Sequence, residues 1–195
     1  MASVSRGCKA ISQAGGATVF GQRFGTTRAP VFYTKSLQKS KELVEFLETN
    51  SAKINEIIQS TSSHLKLISY DTRILGNRVF IRFCYNTSEA MGMNMVTIAT
   101  QKIVDFIEKE TEAVCEALSG NYCVDKKPSW VNFINRRGFE VQAEVVLTPQ
   151  ILEKTLKTTP KLFFETWLSK CMLGSAMAGS MGFNAHFANV AAAFF

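Results

Sequence analysis

The chain has 195 residues, a length that allows one or two domains with a buried core. Its net charge of +6 favours an anionic partner, either a phosphate-rich cofactor or a nucleic acid, although the cations are dispersed along the chain. No uncharged apolar run reaches about 18 residues and the N-terminus lacks an apolar signal core, so we predict a cytoplasmic chain without a membrane span.

The N-terminal part begins with a helix. Residues 2–14 are predicted to be helical, because the Gly15-Gly16 pair that follows is a strong C-terminal signal. A Gly- and Thr-rich passage then runs to Pro30, and no element is predicted within it.

Residues 30–118 alternate between strand and helix patterns. The predicted elements are, in chain order, a strand over 31–33, helices over 36–47 and 51–60, strands over 65–70 and 78–83 joined by a Gly76-Asn77 hairpin turn, a helix over 89–110 and a strand over 113–118. Leu37 and Ile98 are expected on the buried faces of their helices. The order β-α-β-β-α-β is the ferredoxin-like arrangement.

The rest of the chain is mainly helical. A strand is predicted over 139–147, a helix begins at Thr148-Pro149, and apolar helices follow over 161–173 and 183–195. We therefore predict an α+β fold in which a ferredoxin-like domain, residues 30–118, is inserted into a larger domain made of 1–29 and 119–195.

Cysteine and histidine spacing does not indicate a metal site. The five cysteines include no Cys-x-x-Cys pair, and the two histidines lie far apart. We therefore predict no bound metal, and an odd cysteine count without a framework suits a reducing cytosol.

Residues 119–128, Ser-Gly-Asn-Tyr-Cys-Val-Asp-Lys-Lys-Pro, place two lysines beside a carboxylate. The Gly-Asn pair tolerates unusual backbone angles, and the final proline prevents a helix from continuing back through the lysines. Such a loop suits an anion or a carbonyl oxygen that gains negative charge. Taken alone, the triplet 125–127 is weak evidence, because most such runs are solvated surface clusters.

Seven segments carry a family resemblance. They are residues 27–30, 60–62, 91–95, 119–128, 156–159, 174–180 and 183–189. In this order they resemble the catalytic region of class I 3-hydroxy-3-methylglutaryl-CoA (HMG-CoA) reductases, the class shared by eukaryotes and archaea. The resemblance implies an NADPH-dependent oxidoreductase that converts HMG-CoA to mevalonate and CoA by two hydride transfers, for isoprenoid biosynthesis.

The resemblance also implies residue roles. Lys126 is similar to the family's catalytic lysine, whose ammonium stabilises negative charge on the thioester oxygen. The positions that would hold the hydroxymethylglutaryl group are Arg28, Ser119, Asp125, Lys127, Lys170 and Asn189. The positions that would bind NADPH, within residues 30–118, are Ser62, Glu89, Met91, Gly92, Met93 and Asn94.

Some of these residues have simpler interpretations. Arg28 could be a surface arginine at a domain boundary, and Lys170 could complement a helix dipole at the end of its helix. Without the family, the methionines of 91–95 would be core filler. His186 is interpreted as a helix-start histidine satisfied by neighbours, because the family's catalytic histidine lies in a C-terminal tail.

Two departures leave the preference for NADPH over NADH open. The family usually has aspartate where Glu89 stands, and Ser63-His64 replaces the arginine and aromatic residue of the eukaryotic enzymes, as in archaeal members. The family's catalytic glutamate, aspartate and histidine have no counterpart here. The resemblance therefore implies an internal fragment that is inactive alone, from a protein that forms a homodimer or tetramer.

Two rival functions remain. One is a basic ferredoxin-like RNA-binding module, which needs exposed aromatic side chains on its central strands. Phe80 and Phe83 are expected on opposite faces of their strand, a poor stacking platform, so we predict no nucleic-acid partner. The other is a reductase paralogue that has lost catalysis.

Overall fold

The computed structural model describes residues 2–195. Its elements in chain order are α1 (Ala2–Gln13), β1 (Thr18–Arg28), β2 (Val31–Tyr33), α2 (Leu37–Thr49), α3 (Ser51–Thr61), β3 (Lys66–Leu75), β4 (Arg78–Asn86), α4 (Met93–Glu110), β5 (Val114–Ala117), α5 (Trp130–Asn135), β6 (Gly138–Glu144), α6 (Pro149–Ile151), α7 (Pro160–Thr166), α8 (Ser175–Met177) and α9 (Phe187–Phe194). The segments Leu152–Leu156 and Trp167–Gly174 are π-helical. The chain divides into two compact units, one comprising Arg23–Glu140 and the other the residues up to Gln22 with Val141–Phe195.

The strands form an antiparallel sheet with the order β5-β2-β4-β1-β6, and β3 also pairs with β4. Strand β3 follows β4 along its whole length, from Leu75 opposite Arg78 to Lys66 opposite Asn86. Strands β1 and β2 therefore share the other edge of β4, one pairing with each half. The predicted α+β class is confirmed.

The core of the unit Arg23–Glu140 lies between this sheet and helices α2, α3 and α4. Alternate residues of β4 enter it, and the fully buried ones are Val79, Ile81, Phe83 and Tyr85. Each apolar side chain of this size contributes about 1.5–3 kcal/mol on burial. The Tyr85 hydroxyl shares a 2.8 Å hydrogen bond with Thr100 Oγ1, so this buried polar group keeps a partner.

Two predicted core positions are wrong. Leu37 is 63% exposed, because it is the first residue of α2 and lies at the outer end of the helix. Ile98 is 58% exposed, because it stands about 200° around α4 from the buried Val96.

Sequence patterns did not predict β1 or α5. Residues 18–22 of β1 are exposed, so the strand shows little apolar alternation. Residues 26–28 pair with β4, and this long-range pairing, which local composition does not reveal, places β1 in the sheet. Helix α5 has only six residues, too few for a helical period to be visible. The domain predicted over 30–118 lies within the unit Arg23–Glu140, and its bounds stay a prediction.

The other unit is mainly helical. Helix α1 contacts the π-helical segment after α6, where Thr155 Oγ1 donates a 2.6 Å hydrogen bond to Gln13 Oε1. The helix predicted over 161–173 begins at Pro160 and continues to Met177, whereas α9 begins four residues later than predicted. Within residues 2–195, no helix is both long enough and apolar enough to cross a membrane.

Candidate active site

Residues 119–128, here named the lysine loop, have an unusual backbone. Three residues other than glycine have φ in the left-handed region: Asn121 at 62°, Val124 at 48° and Lys126 at 75°. Each such residue costs about 1–3 kcal/mol and persists only where its surroundings hold it, and a β-branched valine is an outlier there. The loop therefore stores strain around the predicted catalytic lysine.

Asn132, in α5, holds the strained part of this loop. Its Nδ2 donates to Val124 O at 2.9 Å and to Lys127 O at 3.2 Å, so one amide bridges the backbone on both sides of Lys126. The position of α5 is fixed in turn by its N-cap, because Ser129 Oγ accepts from Asn132 N at 3.2 Å. A serine directly before apolar residues is a helix-start signal, so the sequence does carry a local mark for the start of α5.

Two hydrogen bonds hold the first half of the lysine loop against the junction of β1 and β2. Thr27 Oγ1 donates to Cys123 O at 2.8 Å, and Gly120 N donates to Ala29 O at 2.7 Å. A Cβ on Gly120 would lie 3.0 Å from Val31 Cβ, so the loop and β2 approach closely only because glycine stands there.

Tyr122 anchors the loop to the β3–β4 hairpin. Its hydroxyl donates to Asp71 Oδ2 at 2.8 Å, and its ring packs edge-on against Phe80 at 6.2 Å between centroids. Burial and the neighbouring Asp71 raise the pKa of Tyr122, so the phenol stays a donor.

The polar side chains of the loop remain available to a ligand. Lys126, Lys127 and Ser119 are exposed, whereas Asp125 is half-buried. The Cys123 thiol lies 3.0 Å from Ser119 Oγ and 3.6 Å from Asp125 Oδ1, and so links two of the predicted substrate residues. A fixed loop with a free ammonium is able to stabilise an oxyanion without reorganising.

Arg28 reaches from the end of β1 to α4. Its Nη2 donates to Thr97 Oγ1 of α4 at 2.7 Å, and its Nε is buried without a hydrogen-bond partner among residues 2–195. Arg28 is half-buried, and its role in substrate binding stays a prediction.

The predicted cofactor residues surround the start of α4. Gly92 is the N-cap of this helix, with φ at 78°, and a Cβ there would overlap the side chain of Thr87. Asn94 is exposed in the first turn, where backbone N–H groups have no intrahelical partner. Ser62 ends α3, and the turn after it is joined to the turn before α4 because Ser88 Oγ donates to His64 O at 3.0 Å.

A cavity of about 390 Å³ lies beside the start of α4, lined by Glu89, Met91 and Met93 from the predicted cofactor set. Two arginines that sequence reasoning missed, Arg23 and Arg137, also line it. They belong to no motif. Arg23 lies in β1 and Arg137 directly before β6, both far from residues 89–93 in sequence. Their cationic groups give the cavity a preference for anions.

Arg23 holds the turn before α4. Its Nη2 donates to Thr87 Oγ1 at 2.8 Å and to Ala90 O at 3.2 Å, and its Nη1 donates to Ser88 O. Its guanidinium also lies over the ring of Phe139, 5.4 Å from the centroid. Arg23 is therefore mainly a structural residue of this turn.

Lys170 and Asn189 lie in the other compact unit. Lys170 stands inside a continuous helix, because the π-helical segment Trp167–Gly174 runs on into α8, so the alternative of a dipole-complementing end residue is wrong. Lys170 and His186 line an apolar cavity of about 680 Å³. His186 is the N-cap of α9 and its Nδ1 lies 2.8 Å from Asn189 Nδ2, which confirms a helix-start histidine satisfied by a neighbour.

Comparisons with known proteins bear on the whole chain. The family profile described as hydroxymethylglutaryl-coenzyme A reductase matches residues 1–195. The 3-hydroxy-3-methylglutaryl-coenzyme A reductases of Methanothermobacter thermautotrophicus and Haloferax volcanii are 46% and 45% identical to this chain over its whole length. The alignments cover 49% and 48% of those proteins, so the chain spans about half the length of the curated relatives it matches.

A solved structure is similar in fold. It is the class II 3-hydroxy-3-methylglutaryl-CoA reductase from Streptococcus pneumoniae bound to NADPH, with a TM-score of 0.62 and 18% sequence identity over 91% of this chain and 45% of that one. At this identity the likeness concerns the fold alone, whereas the profile and the curated relatives concern the family. The chain belongs to the hydroxymethylglutaryl-coenzyme A reductase family.

Proposed function

We propose that this chain supplies the lysine loop and the cofactor-binding region of an NADPH-dependent HMG-CoA reductase. The observation that carries the proposal is the lysine loop, which holds Lys126 at a strained backbone angle and leaves its side chain exposed. The reaction is the reductive deacylation of HMG-CoA to mevalonate and free CoA, with two hydride transfers.

Lys126 would act on the oxygen of the reacting carbonyl in both reductions. Two molecules of NADPH, bound one after the other, would supply one hydride each. Each hydride transfer to the carbonyl carbon places negative charge on the oxygen, first at the thioester and then at the aldehyde left after the CoA thiolate departs. A fixed ammonium stabilises this charge more strongly than water does, and it can donate a proton to the finished alcohol.

The substrate residues on the lysine loop suit the hydroxymethylglutaryl group. This group carries one free carboxylate and a tertiary hydroxyl, so it requires cations together with hydrogen-bonding groups. Arg28, Lys127, Ser119 and Asp125 offer this combination within the unit Arg23–Glu140. Lys170 and Asn189 are proposed for the same group on the evidence of their motifs.

The cofactor proposal rests on the cavity at the start of α4. Glu89, Met91 and Met93 line it, Gly92 allows close approach of the helix N-terminus, and Asn94 offers both a donor and an acceptor. Ser62 is proposed to contact the cofactor from the adjoining turn.

We also infer a ferredoxin-like cofactor domain over residues 30–118, inserted into the substrate domain. The antiparallel strand order β5-β2-β4-β3 and the placement of α2 to α4 against the sheet support it. A cytoplasmic location and a homodimer or tetramer belong to the same proposal.

The rival functions predict different behaviour. An RNA-binding module is disfavoured because Phe83 is fully buried and Phe80 packs on Tyr122. Salt-dependent RNA binding by this chain, comparable to that of a known RNA-binding domain, would support it instead. A paralogue that has lost catalysis would bind NADPH without oxidising it.

The decisive experiment measures HMG-CoA-dependent oxidation of NADPH by the protein that carries this chain. We expect Lys126→Ala to lower kcat by several orders of magnitude while KM changes little, because the lost interaction is strongest in the transition state. Near-normal kcat in this variant would refute the oxyanion role. Lys127→Ala is the matched control, and it should raise KM more than it lowers kcat.

A further inference from the structure

Arg137 is a half-buried cation between the lysine loop and the cofactor cavity. It lies between α5 and β6, and it lines the 390 Å³ cavity together with Glu89 and Met93. No motif of the sequence includes it, and the proposed function assigns it no part.

The hydrogen bonds of Arg137 leave its cavity side weakly satisfied. Its Nε donates to Thr27 Oγ1 at 2.9 Å, a good bond to an oxygen. Among residues 2–195, the acceptor for its Nη2 is the thioether sulfur of Met93, at 3.5 Å, and a thioether is a weak acceptor. Arg23, on the same cavity, donates to three oxygen acceptors.

The surroundings of Arg137 favour an added negative charge. Burial lowers the pKa of Arg137. Asp125 and Cys123 raise it, and the like charges of Arg82 and Arg28 lower it by smaller amounts. The cavity itself is lined by two arginines and one carboxylate, Glu89, so its local charge is positive. An anion beside the guanidinium would compensate for the desolvation of this half-buried cation.

We propose that Arg137 binds a phosphate oxygen of the nicotinamide nucleotide half of the cofactor. The proposal rests on the proposed function, because that function assigns a nicotinamide dinucleotide to this cavity. A guanidinium fork matches the geometry of a phosphate, and 390 Å³ is near the lower end of the roughly 300–1,000 Å³ of ligand cavities, which suits one nucleotide. Met91, Met93 and the Phe139 ring provide the apolar contacts that a flat ring requires.

The test uses the protein that carries this chain and compares it, unsubstituted, with Arg137→Met and Arg137→Lys. The probes are NADPH, reduced nicotinamide mononucleotide, reduced nicotinamide riboside and adenosine 2′,5′-bisphosphate, with binding measured by calorimetry or NMR titration. The mononucleotide and the riboside differ only by the phosphate. Arg136→Met is the matched control, because Arg136 is the exposed neighbour that pairs with Glu140 at 3.1 Å.

We expect Arg137→Met to weaken binding of NADPH and of the mononucleotide by about tenfold or more, since a charge-assisted hydrogen bond is lost. Affinity for the riboside and for the adenosine bisphosphate should change by less than about twofold, and Arg137→Lys should recover part of the loss. If Arg137→Met fails to fold by circular dichroism, Arg137→Lys with the same four probes decides the question.

Equal weakening of mononucleotide and riboside would overturn the proposal, because it would assign the effect to ring packing. Unchanged NADPH affinity in Arg137→Met would overturn it while leaving the proposed function intact. Binding of 3-hydroxy-3-methylglutarate is measured as well. If Arg137→Met weakens the binding of this compound alone, Arg137 contacts the substrate carboxylate and the phosphate assignment is refuted. If the unsubstituted protein that carries this chain binds no NADPH, the cofactor proposal itself is wrong and the role of Arg137 is wrong with it.

Discussion

Replacing Asn132 by alanine should loosen the lysine loop while barely changing the stability of the fold. The substitution removes two hydrogen bonds, to Val124 O and to Lys127 O, each worth about 1 kcal/mol net. Together they oppose the strain at Val124 and Lys126, which costs about 1–3 kcal/mol at each residue. Loss of about 2 kcal/mol should therefore raise the population of open loop about 30-fold.

Global stability should respond less, because Asn132 also carries a penalty in the folded state. Its Oδ1 is buried without a hydrogen-bond partner among residues 2–195, and such an atom costs about 1–3 kcal/mol. Alanine removes this unsatisfied acceptor together with the two bonds. We expect the free energy of unfolding to change by about 1 kcal/mol or less, although local order is lost.

Amide hydrogen exchange followed by mass spectrometry measures the two effects separately. Peptides covering residues 119–128 should exchange about 30-fold faster in Asn132→Ala, whereas peptides of α4 and β4 should exchange at the original rate. Asn135→Ala is the matched control, since Asn135 is an exposed asparagine in the same short helix. Unchanged exchange of 119–128, or the same acceleration in Asn135→Ala, would refute the reasoning.

Two further changes test the start of α4 and the core. Gly92→Ala should destabilise the unit Arg23–Glu140 by about 1–3 kcal/mol, because alanine is strained at a φ of 78° and its Cβ would overlap Thr87. The same substitution should weaken NADPH binding. Thermal unfolding measures the first effect and fluorescence titration the second. Burial raises the pKa of Tyr85 above the ordinary value of 10.0, so its contribution to stability is complete below pH 10 and is lost as the pH rises through the folded-state pKa. The decline in unfolding free energy above pH 10 should be shallower in Tyr85→Phe, and an equal slope in both proteins would contradict this.

Local patterns predicted the elements of residues 30–118 well, because those elements follow from local chemistry. Ser36 caps α2 as expected, its Oγ accepting from Lys39 N at 3.2 Å, and the hairpin turns at Gly76-Asn77. The family motifs likewise pointed to Gly92, which the structure has at the N-cap of α4.

Long-range contacts were beyond such patterns. Arg137 reaches Thr27 across 110 residues, and Arg23 reaches the turn before α4 across about 65, so no local signal marks either residue. Asn132 differs from these two arginines because a local signal, the Ser129 N-cap, marks the start of its helix. That helix has too few residues to show a helical repeat of apolar positions. Sequence reasoning therefore found the groups that carry the proposed chemistry and missed the groups that hold them in position.

Strand β1, which no sequence pattern predicted, connects the lysine loop to α4. Successive residues of a strand point to opposite faces of the sheet. Thr27 lies opposite Cys84 and faces the loop, where its hydroxyl joins Arg137 to Cys123. Arg28 is the next residue, and it reaches α4 on the other face. A one-residue slip of β1 would exchange these two faces and break both connections, so the pairing of β1 with β4 fixes the lysine loop relative to α4.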